Sequence, residues 1–225
     1  MTDLQGVLQY AKWSSNIYQN IFPNNLLQAY SKNGFDSWIL DNKTEIVIVI
    51  RGTDDIHDVL QDVSMVAGIL PKYTDYAIDV FSKAVKYATD KQLPIVACGH
   101  SLGGSLAQYI TYRECIQSYT FNPYGIGDCL LKNHDIPITT RNKCQNYCIT
   151  NDVVSSSSMQ WQIGKVITLN VPQNMYKPDM SIIERTLFLH GIDTMVELLT
   201  EMVNCPINVD NSNLSEIPTS LKSFC

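Results

Sequence analysis

The segment LPIVACGHSLGGSLAQYI (93–110) changes its hydrophobic pattern near the middle. Its first part, residues 93–99, is a short apolar run that is typical of a buried strand. From residue 101 to residue 115 the composition favours a helix, and its apolar positions form one stripe: Leu102, Leu106 and Ile110. The segment therefore predicts a strand, a tight turn and a helix in direct succession.

Ser101 lies at this turn, two residues from Gly99 on one side and from Gly103 on the other. Glycine has no Cβ, so both positions let a strand and a helix approach closely. A G-x-S-x-G pattern between a strand and a helix is typical of the nucleophile elbow, which presents a serine hydroxyl on a strained backbone. The alternative is an ordinary glycine-rich helix start with Ser101 as its N-cap. The flanking strand and helix favour the elbow.

Strands and helices alternate along the rest of the chain. Residues 34–40 and 44–50 predict a hairpin whose second strand is buried on both faces, because its apolar run is continuous. The remaining periodic segments predict helices at 3–19, 75–90 and 192–203 and strands at 118–123, 146–150 and 165–171. This alternation predicts the α/β class, with a mostly parallel central sheet and helices on both faces.

Composition places the chain among globular proteins. It has 225 residues, 45% of them hydrophobic and 17% charged, which fits one domain over 1–225. A polar stretch near the end predicts a loosely held C-terminal tail over 203–225. The formal net charge is −6 and lysine and arginine form no cluster, so no nucleic-acid partner is expected. The sequence leaves the oligomeric state open.

The start of the chain and its cysteines bear on its compartment. No basic segment followed by an apolar run appears at the start, and the longest apolar run, 46–50, is too short to cross a bilayer. We therefore expect a cytoplasmic protein, although export by another route stays open. Seven cysteines without a C-x-x-C pair argue against a zinc or redox motif and favour reduced thiols. A bridge between Cys205 and Cys225 is the leading exception, and no metal or cofactor is expected.

A serine nucleophile needs a base, which is usually a histidine oriented by a carboxylate. In α/β-hydrolases the order along the chain is serine, acid, histidine. His57 precedes Ser101 in the chain. His100 adjoins Ser101 and is expected to pack beneath the turn, and His134 precedes the best acid candidate. His190 satisfies the order and is the predicted base; the alternative is a buried core histidine.

The acid is expected at the carboxyl end of a strand. Asp152 follows the predicted strand 146–150 almost directly and ranks first. Asp128 ranks second and Asp135 is a further competitor, because both lie in the loop after the strand at 118–123. The alternative for Asp152 is a turn residue that hydrogen-bonds its own backbone.

Acyl transfer also needs hydrogen-bond donors for the oxyanion, and loss of one donor raises the barrier by about 3 kcal/mol. The backbone N–H of Leu102, directly after the nucleophile, is one expected donor. The second is expected from the loop RGTDD (51–55), where Gly52 lets the backbone turn and Thr53 offers both an N–H and a hydroxyl. The alternative is a surface loop in which Arg51 pairs with the aspartates.

These features resemble the class 3 lipases, the fungal-type lipases of the α/β-hydrolase superfamily. The resemblance covers most of residues 30–200 and is carried by IVIVIRGT (46–53), GHSLGG (99–104), TFNPYGIG (120–127), TNDVV (150–154), MQWQIGKVITL (159–169) and LFLHGIDTM (187–195). It implies an α/β-hydrolase fold and hydrolysis of acylglycerol esters or, in some members, of phospholipids or galactolipids, without a metal. By position it implies a catalytic triad and an oxyanion hole: Ser101 as nucleophile, Asp152 as acid, His190 as base, and Thr53 and Leu102 as oxyanion donors.

The chain departs from the family pattern ahead of Ser101. Val59 stands where the family usually has an aromatic residue, and KYTDYAIDVF (72–81) replaces a stretch that contains His-Gly. The segment 63–71 could form a small apolar lid that buries against the site and opens onto lipid, through Met65, Val66, Ile69 and Leu70. The alternative is a short helix that packs permanently on the sheet.

The sequence therefore predicts a serine esterase of lipase type. We expect a triacylglycerol lipase or a phospholipase A1-like enzyme, whose partners are a lipid or other ester substrate and a transient membrane or micelle surface. A soluble short-chain carboxylesterase or a thioesterase is the alternative among enzymes. A degenerate hydrolase-fold binding module is the alternative outside them. The acyl chain, the head group and the position cleaved are not determined by the sequence.

Overall fold

The structure is a computed structural model that describes residues 3–53, 64–131, 136–156 and 162–204, without the side chains of 64–69 and 128–129. Within these ranges one seven-stranded sheet forms, and its strands are neighbours in chain order. The strands are β1 Leu26–Lys32, β2 Phe35–Asp41, β3 Ile46–Ile50, β4 Ile95–His100, β5 Gln117–Phe121, β6 Cys144–Ile149 and β7 Lys165–Leu169. The helices are α1 Leu4–Asn16, α2 Ser64–Lys91, α3 Leu102–Glu114, α4 Gly127–Leu130, α5 Ile138–Arg141, α6 Ile182–His190 and α7 Ile192–Asn204, with a 3₁₀ turn at Gln173–Met175.

The sheet is antiparallel at one edge and parallel from β3 to β7. The predicted hairpin is confirmed, since β2 pairs with β3 in antiparallel register. The edge strand β1 was not predicted. Its residues are partly exposed and form no apolar run, so they carry little local signal for a strand and depend on pairing with β2.

Hydrophobic clusters cover both faces of the sheet. Along β3, Ile46, Ile48 and Ile50 face the cluster that contains α2 and α3. Val47 and Val49 face the opposite cluster, which contains α1 and α7. All five side chains are 0% exposed, so the prediction of a strand buried on both faces is confirmed.

The helix predicted at 75–90 is longer in the structure, because α2 begins at Ser64 and runs through Pro71. Leu70 is 0% exposed and belongs to the core cluster with Phe35 and Ala77. This burial fits both a permanently packed helix and a closed lid, so the lid role of Leu70 stays a prediction. The lid prediction for Met65, Val66 and Ile69 falls on side chains outside the described residues.

The C-terminal region contains one helix that was predicted and one that was not. Helix α7 matches the prediction at 192–203 and ends at Asn204, so Val203 and Asn204 are helical where a loose tail was expected. Helix α6 was missed, although its Ser181 and Glu184 form a capping box. Cys205 and Cys225 lie outside the described residues, so the predicted bridge stays a prediction, as does the single domain over 1–225. Free thiols occur in the described part at Cys98, Cys115, Cys144 and Cys148.

The parallel strands end together at one edge of the sheet. Ile50 of β3 pairs with Gly99 of β4, and His100 pairs with Phe121 of β5. Phe121 in turn pairs with Tyr147 of β6. The residues that directly follow these strands are therefore neighbours, and in open α/β sheets this edge is where ligands bind. Among the described helices none is long and apolar enough to span a bilayer.

Candidate active site

Ser101 occupies the single residue between the end of β4 and the start of α3. Its backbone has φ 56° and ψ −126°, a conformation that strains any residue other than glycine. The Ser101 N–H donates to the Phe121 carbonyl at 3.0 Å, and the Ser101 carbonyl accepts from the Ser105 N–H at 3.1 Å. Neighbouring strand and helix thus hold the strained turn in place, as the elbow geometry requires.

Gly99 and Gly103 allow this turn because neighbouring backbone fills the space that a side chain would need. A Cβ on Gly103 would overlap the Ile50 carbonyl oxygen and lie 2.8 Å from the Arg51 carbonyl carbon. A Cβ on Gly99 would lie 2.6 Å from the Gly103 carbonyl and 2.7 Å from the Ile50 oxygen. Because these are backbone atoms, a side chain at either position would displace β3 or α3.

His190, the last residue of α6, meets Asp152 in a fully buried pair. The His190 Nδ1 lies 2.9 Å from the Asp152 Oδ1, and both side chains are 0% exposed. Asp152 also accepts from the Val154 N–H at 3.2 Å and from the Ser155 N–H at 3.0 Å. The Asp152 side chain therefore hydrogen-bonds its own turn, which was the alternative to an acid role, and it also contacts the predicted base.

The electrostatics of this pair keep the Asp152 carboxyl ionised. Burial by itself would raise the pKa of Asp152, but the His190 imidazole beside it and the hydrogen bonds from His190 and Ser155 outweigh burial and lower that pKa. An ionised carboxylate only accepts hydrogen bonds, so the His190 Nδ1 carries the proton. The other ring nitrogen, Nε2, is then the one that can accept a proton.

The His190 Nε2 and the Ser101 Oγ are both buried and have no hydrogen-bond partner among the described residues. His100, the neighbour of Ser101, places its ring centroid 4.8 Å from that of His190. The two atoms are not hydrogen-bonded to each other in this structure. In enzymes without bound substrate, catalytic hydrogen bonds are often long and shorten only in the complex.

The RGT loop after β3 lies beside Ser101. A Cβ on Gly52 would lie 3.3 Å from the Ser101 Cβ and 2.8 Å from the His100 carbonyl oxygen. The Gly52 N–H already donates to the Tyr18 hydroxyl at 3.0 Å, so the next residue, Thr53, is the candidate oxyanion donor in this loop. Arg51 pairs with Asp36 of β2 at 2.9 Å.

Leu102 supplies the other candidate donor. It is the first residue of α3, and the first N–H groups of a helix have no acceptor within the helix. The helix dipole adds partial positive charge at the same point, which favours a developing oxyanion. The roles of Thr53 and Leu102 as oxyanion donors stay predictions.

The competitors of the predicted triad lie outside the side chains that the structure describes. Asp128 lies in α4 with its side chain undescribed, and Asp135, His57 and His134 lie outside the described residues. Across the described ranges, no group of three or more potential metal ligands occurs. Of the predicted acids and bases, the structure thus describes the side chains of Asp152, His100 and His190, and it joins Asp152 to His190; their roles as acid and base stay predictions.

Sequence reasoning missed Asn122, Tyr18 and one role of His100. His100 is 4% exposed and packs beneath the turn as predicted, but it also contacts the backbone of His190. Asn122, directly after β5, contacts the same backbone. An asparagine at the end of a strand beside a candidate nucleophile was a usable signal. Tyr18 lies far from the motifs in sequence and gave none.

Comparison with solved structures identifies the fold. The lipase of Rhizopus microsporus var. chinensis is 17% identical, with 73% of this chain and 74% of that chain covered and a TM-score of 0.58. A fungal lipase solved in an inhibitor complex is 16% identical, with 85% and 96% covered and a TM-score of 0.61. These likenesses confirm the predicted α/β-hydrolase fold and the predicted resemblance to fungal-type lipases.

Sequence comparison identifies the family. The chain is 28% identical over 185 residues to the extracellular phospholipase A1 of Serratia liquefaciens. The aligned region covers 75% of this chain and 57% of that protein. The chain thus spans less than two thirds of that relative's length. Residues 9–177 match the family described as Phospholipase-like: Tle-like phospholipase domain. This match extends over more than half of the chain, which therefore belongs to the family of Tle-like phospholipase domains.

Proposed function

We propose that this chain hydrolyses carboxylic ester bonds of lipids, with a glycerophospholipid as the first substrate class to test. One observation carries the proposal: the buried hydrogen bond between His190 and Asp152 leaves the His190 Nε2 unpaired, and the His190 ring lies 4.8 Å from the ring of His100, the residue that adjoins Ser101. The family of phospholipase domains and the phospholipase A1 relative support the choice of lipid.

In the proposed mechanism the Ser101 Oγ attacks the ester carbonyl while the His190 Nε2 takes its proton. Asp152 keeps the imidazole in the tautomer that has a free Nε2 and stabilises the imidazolium that forms. The lowered pKa of Asp152 suits this role, because the carboxylate must stay charged throughout the cycle. His190 then protonates the leaving alcohol, and water resolves the acyl-enzyme by the same steps in reverse.

The oxyanion of each tetrahedral intermediate is proposed to accept hydrogen bonds from the Leu102 N–H and from Thr53. Gly52 brings the loop close to Ser101, and the first turn of α3 adds its partial positive charge. Donors that are held in place before the reaction stabilise the transition state without reorganising at that moment.

The site is closed in this structure, since Ser101 is 1% exposed and His190 is 0% exposed. We infer that the surroundings of Ser101 rearrange when substrate reaches its hydroxyl. A lipid surface that stabilises the open state would raise the rate. A transient contact with a membrane or micelle surface is therefore still a prediction. The cytoplasmic location is also still a prediction.

A substrate panel tests the function. The purified chain is given phospholipid, triacylglycerol, galactolipid, a short soluble ester and an acyl thioester, each above and below the micelle threshold. Ser101→Ala is the inactive variant. Ser82→Ala is the matched control, because its exposed hydroxyl only contacts its own helix through the Ile78 carbonyl.

We expect phospholipid cleavage that rises above the micelle threshold, is lost in Ser101→Ala and is kept in Ser82→Ala. Faster turnover of the short ester or thioester, without a micelle effect, would reassign the enzyme to the soluble esterases or thioesterases. Failure of a fluorophosphonate probe to label Ser101 in the folded protein would instead indicate a binding module.

A further inference from the structure

The backbone carbonyl of His190 accepts two hydrogen bonds from buried side chains. The Asn122 Nδ2 donates to it at 3.0 Å, and the His100 Nε2 lies 2.7 Å from it. His190 ends α6, and the last carbonyls of a helix have no donor within the helix. Asn122 also donates to the Leu189 carbonyl at 3.0 Å. Two side chains from neighbouring strand ends thus satisfy the end of the helix that carries the proposed base.

Asn122 links the proposed base to the strand that leads to the proposed acid. It is 0% exposed and has φ 43°, a conformation that asparagine tolerates better than most residues. Its Oδ1 accepts from the N–H of Ile149, the last residue of β6, at 2.8 Å. The Ile149 carbonyl in turn accepts from the Asp152 N–H at 3.1 Å. One side chain therefore sets the distance between the backbones that carry His190 and Asp152.

His100 links the proposed base to the loop that carries the candidate oxyanion donor. A carbonyl oxygen only accepts hydrogen bonds, so the His100 Nε2 carries the proton that it donates to His190. In the neutral ring Nδ1 is then an acceptor, and the Tyr18 hydroxyl, 3.0 Å away, donates to it. The Tyr18 oxygen in turn accepts from the Gly52 N–H. Burial, with a smaller effect of His190, lowers the pKa of His100 to about 3, which keeps the ring neutral.

We propose that Asn122 and His100 are positioning residues, which hold the His190 backbone so that its imidazole reaches Asp152 and Ser101 together. This proposal rests on the proposed hydrolase function. Catalysis depends steeply on such placement, since a displacement of about 1 Å can lower a rate by about 100-fold. The imidazole itself hydrogen-bonds only Asp152 among the described residues, so its placement depends on the backbone beneath it.

The rival explanation is that these contacts only stabilise the fold. Asn146 of β6 offers a matched control, because it is also 0% exposed and its Nδ2 also donates to two backbone carbonyls. Its Nδ2 donates to the Ile163 carbonyl at 2.7 Å and to the Lys165 carbonyl at 3.2 Å. Its Oδ1 accepts from the Thr120 hydroxyl at 2.6 Å and from the Cys144 thiol at 3.4 Å. None of these partners belongs to the proposed triad.

The first experiment compares Asn122→Asp with Asn146→Asp. Each change keeps the shape of the side chain. It replaces the amide NH₂ group by a carboxylate oxygen, which faces two carbonyl oxygens without a proton to donate. With a short soluble ester, we expect kcat of Asn122→Asp to fall by about 10- to 100-fold per folded molecule. KM should stay within roughly twofold, as for an interaction that acts in the transition state. Asn146→Asp should lose a similar amount of thermal stability and keep its kcat.

A second pair of variants, His100→Gln and His100→Asn, tests the positioning role of His100. This pair still tests the proposal if Asn122→Asp does not fold. Glutamine can place an amide N–H where the His100 Nε2 lies, whereas asparagine can keep only the contact with Tyr18. We expect His100→Gln to keep most of kcat and its rate of fluorophosphonate labelling at Ser101. His100→Asn should lose about 10-fold in both.

Equal kcat in Asn122→Asp and Asn146→Asp, or in the two His100 variants, would overturn the positioning role. Ser101→Ala separates this result from a failure of the proposed function. If the wild-type chain cleaves none of the substrates in the panel, or Ser101→Ala keeps the activity, the hydrolase proposal is wrong. If Ser101→Ala is inactive and the positioning variants are fully active, only the positioning proposal is wrong.

Discussion

Replacing His100 should change how the stability of the protein depends on pH. Burial, with a smaller effect of the neighbouring His190, lowers the pKa of His100 in the folded protein to about 3. In the unfolded chain the same imidazole has an ordinary pKa of about 6.5. Between these values the unfolded chain binds a proton at His100 that the folded protein does not bind. Acid therefore favours unfolding through this residue.

The size of the effect follows from this difference in proton binding. Where the unfolded state holds one more proton, the free energy of unfolding falls by about 1.4 kcal/mol for each unit of pH lost. Integrated from pH 7 to pH 4.5, the contribution of His100 is a loss of about 2.5 kcal/mol. The stabilisation is present above pH 6.5 and is lost as the pH falls towards 3. The lowered pKa of Asp152 acts only below the ordinary carboxyl value of 3.8, outside this window.

Urea unfolding at a series of pH values from 7 to 4.5 measures this contribution. The buried Trp13 and Trp38 provide a fluorescence signal for unfolding. Wild type should lose about 2.5 kcal/mol more over this range than His100→Gln or His100→Asn, because both variants lack the imidazole. The comparison uses how steeply the free energy of unfolding changes with pH. A loss of stability that is the same at every pH therefore does not affect it. Parallel curves for wild type and both variants would refute the reasoning.

Three further substitutions test the site. Ser101→Ala should abolish turnover and leave the melting temperature almost unchanged, as measured by an ester assay and circular dichroism; residual turnover near the wild-type level would remove Ser101 as nucleophile. Asp152→Asn should lower kcat by about 10⁴-fold, because the wrong tautomer of His190 would face Ser101; a near-silent change would promote Asp128. Gly103→Ala should lower the free energy of unfolding in urea by about 1–3 kcal/mol, since the new Cβ overlaps the backbone at the end of β3. The same variant should lose most of its activity. An unfolding curve equal to that of the wild type would contradict the tight packing at this turn.

The sequence was sufficient for the elements that have a strong local pattern. The continuous apolar run 46–50 predicted a strand buried on both faces, and β3 is 0% exposed at every position. The glycines around Ser101 predicted the strand–turn–helix unit, and β4 and α3 flank the serine as expected. Hydrophobic periodicity and the needs of a tight turn act over a few residues, so these elements could be derived without tertiary information.

Local pattern failed where an element depends on distant contacts. The edge strand β1 has partly exposed residues and forms because β2 pairs with it. Helix α2 begins at Ser64 and continues through Pro71, where local rules favour a break. The buried position of Leu70 likewise follows from packing on the sheet rather than from its own segment.

The sequence by itself determined the class of the fold and, through chain order, the identities of Ser101, Asp152 and His190 as candidates. Only the tertiary structure decided that the imidazole at 190 hydrogen-bonds the carboxylate at 152, and that Asn122 and His100 hold the backbone beneath it. The physical reason is the length of chain between these groups. Chain order and residue type can select candidates for a site, but a hydrogen bond needs its two atoms about 3 Å apart. For groups 38 to 90 residues apart in the chain, that distance is set by the packing of the sheet and its helices.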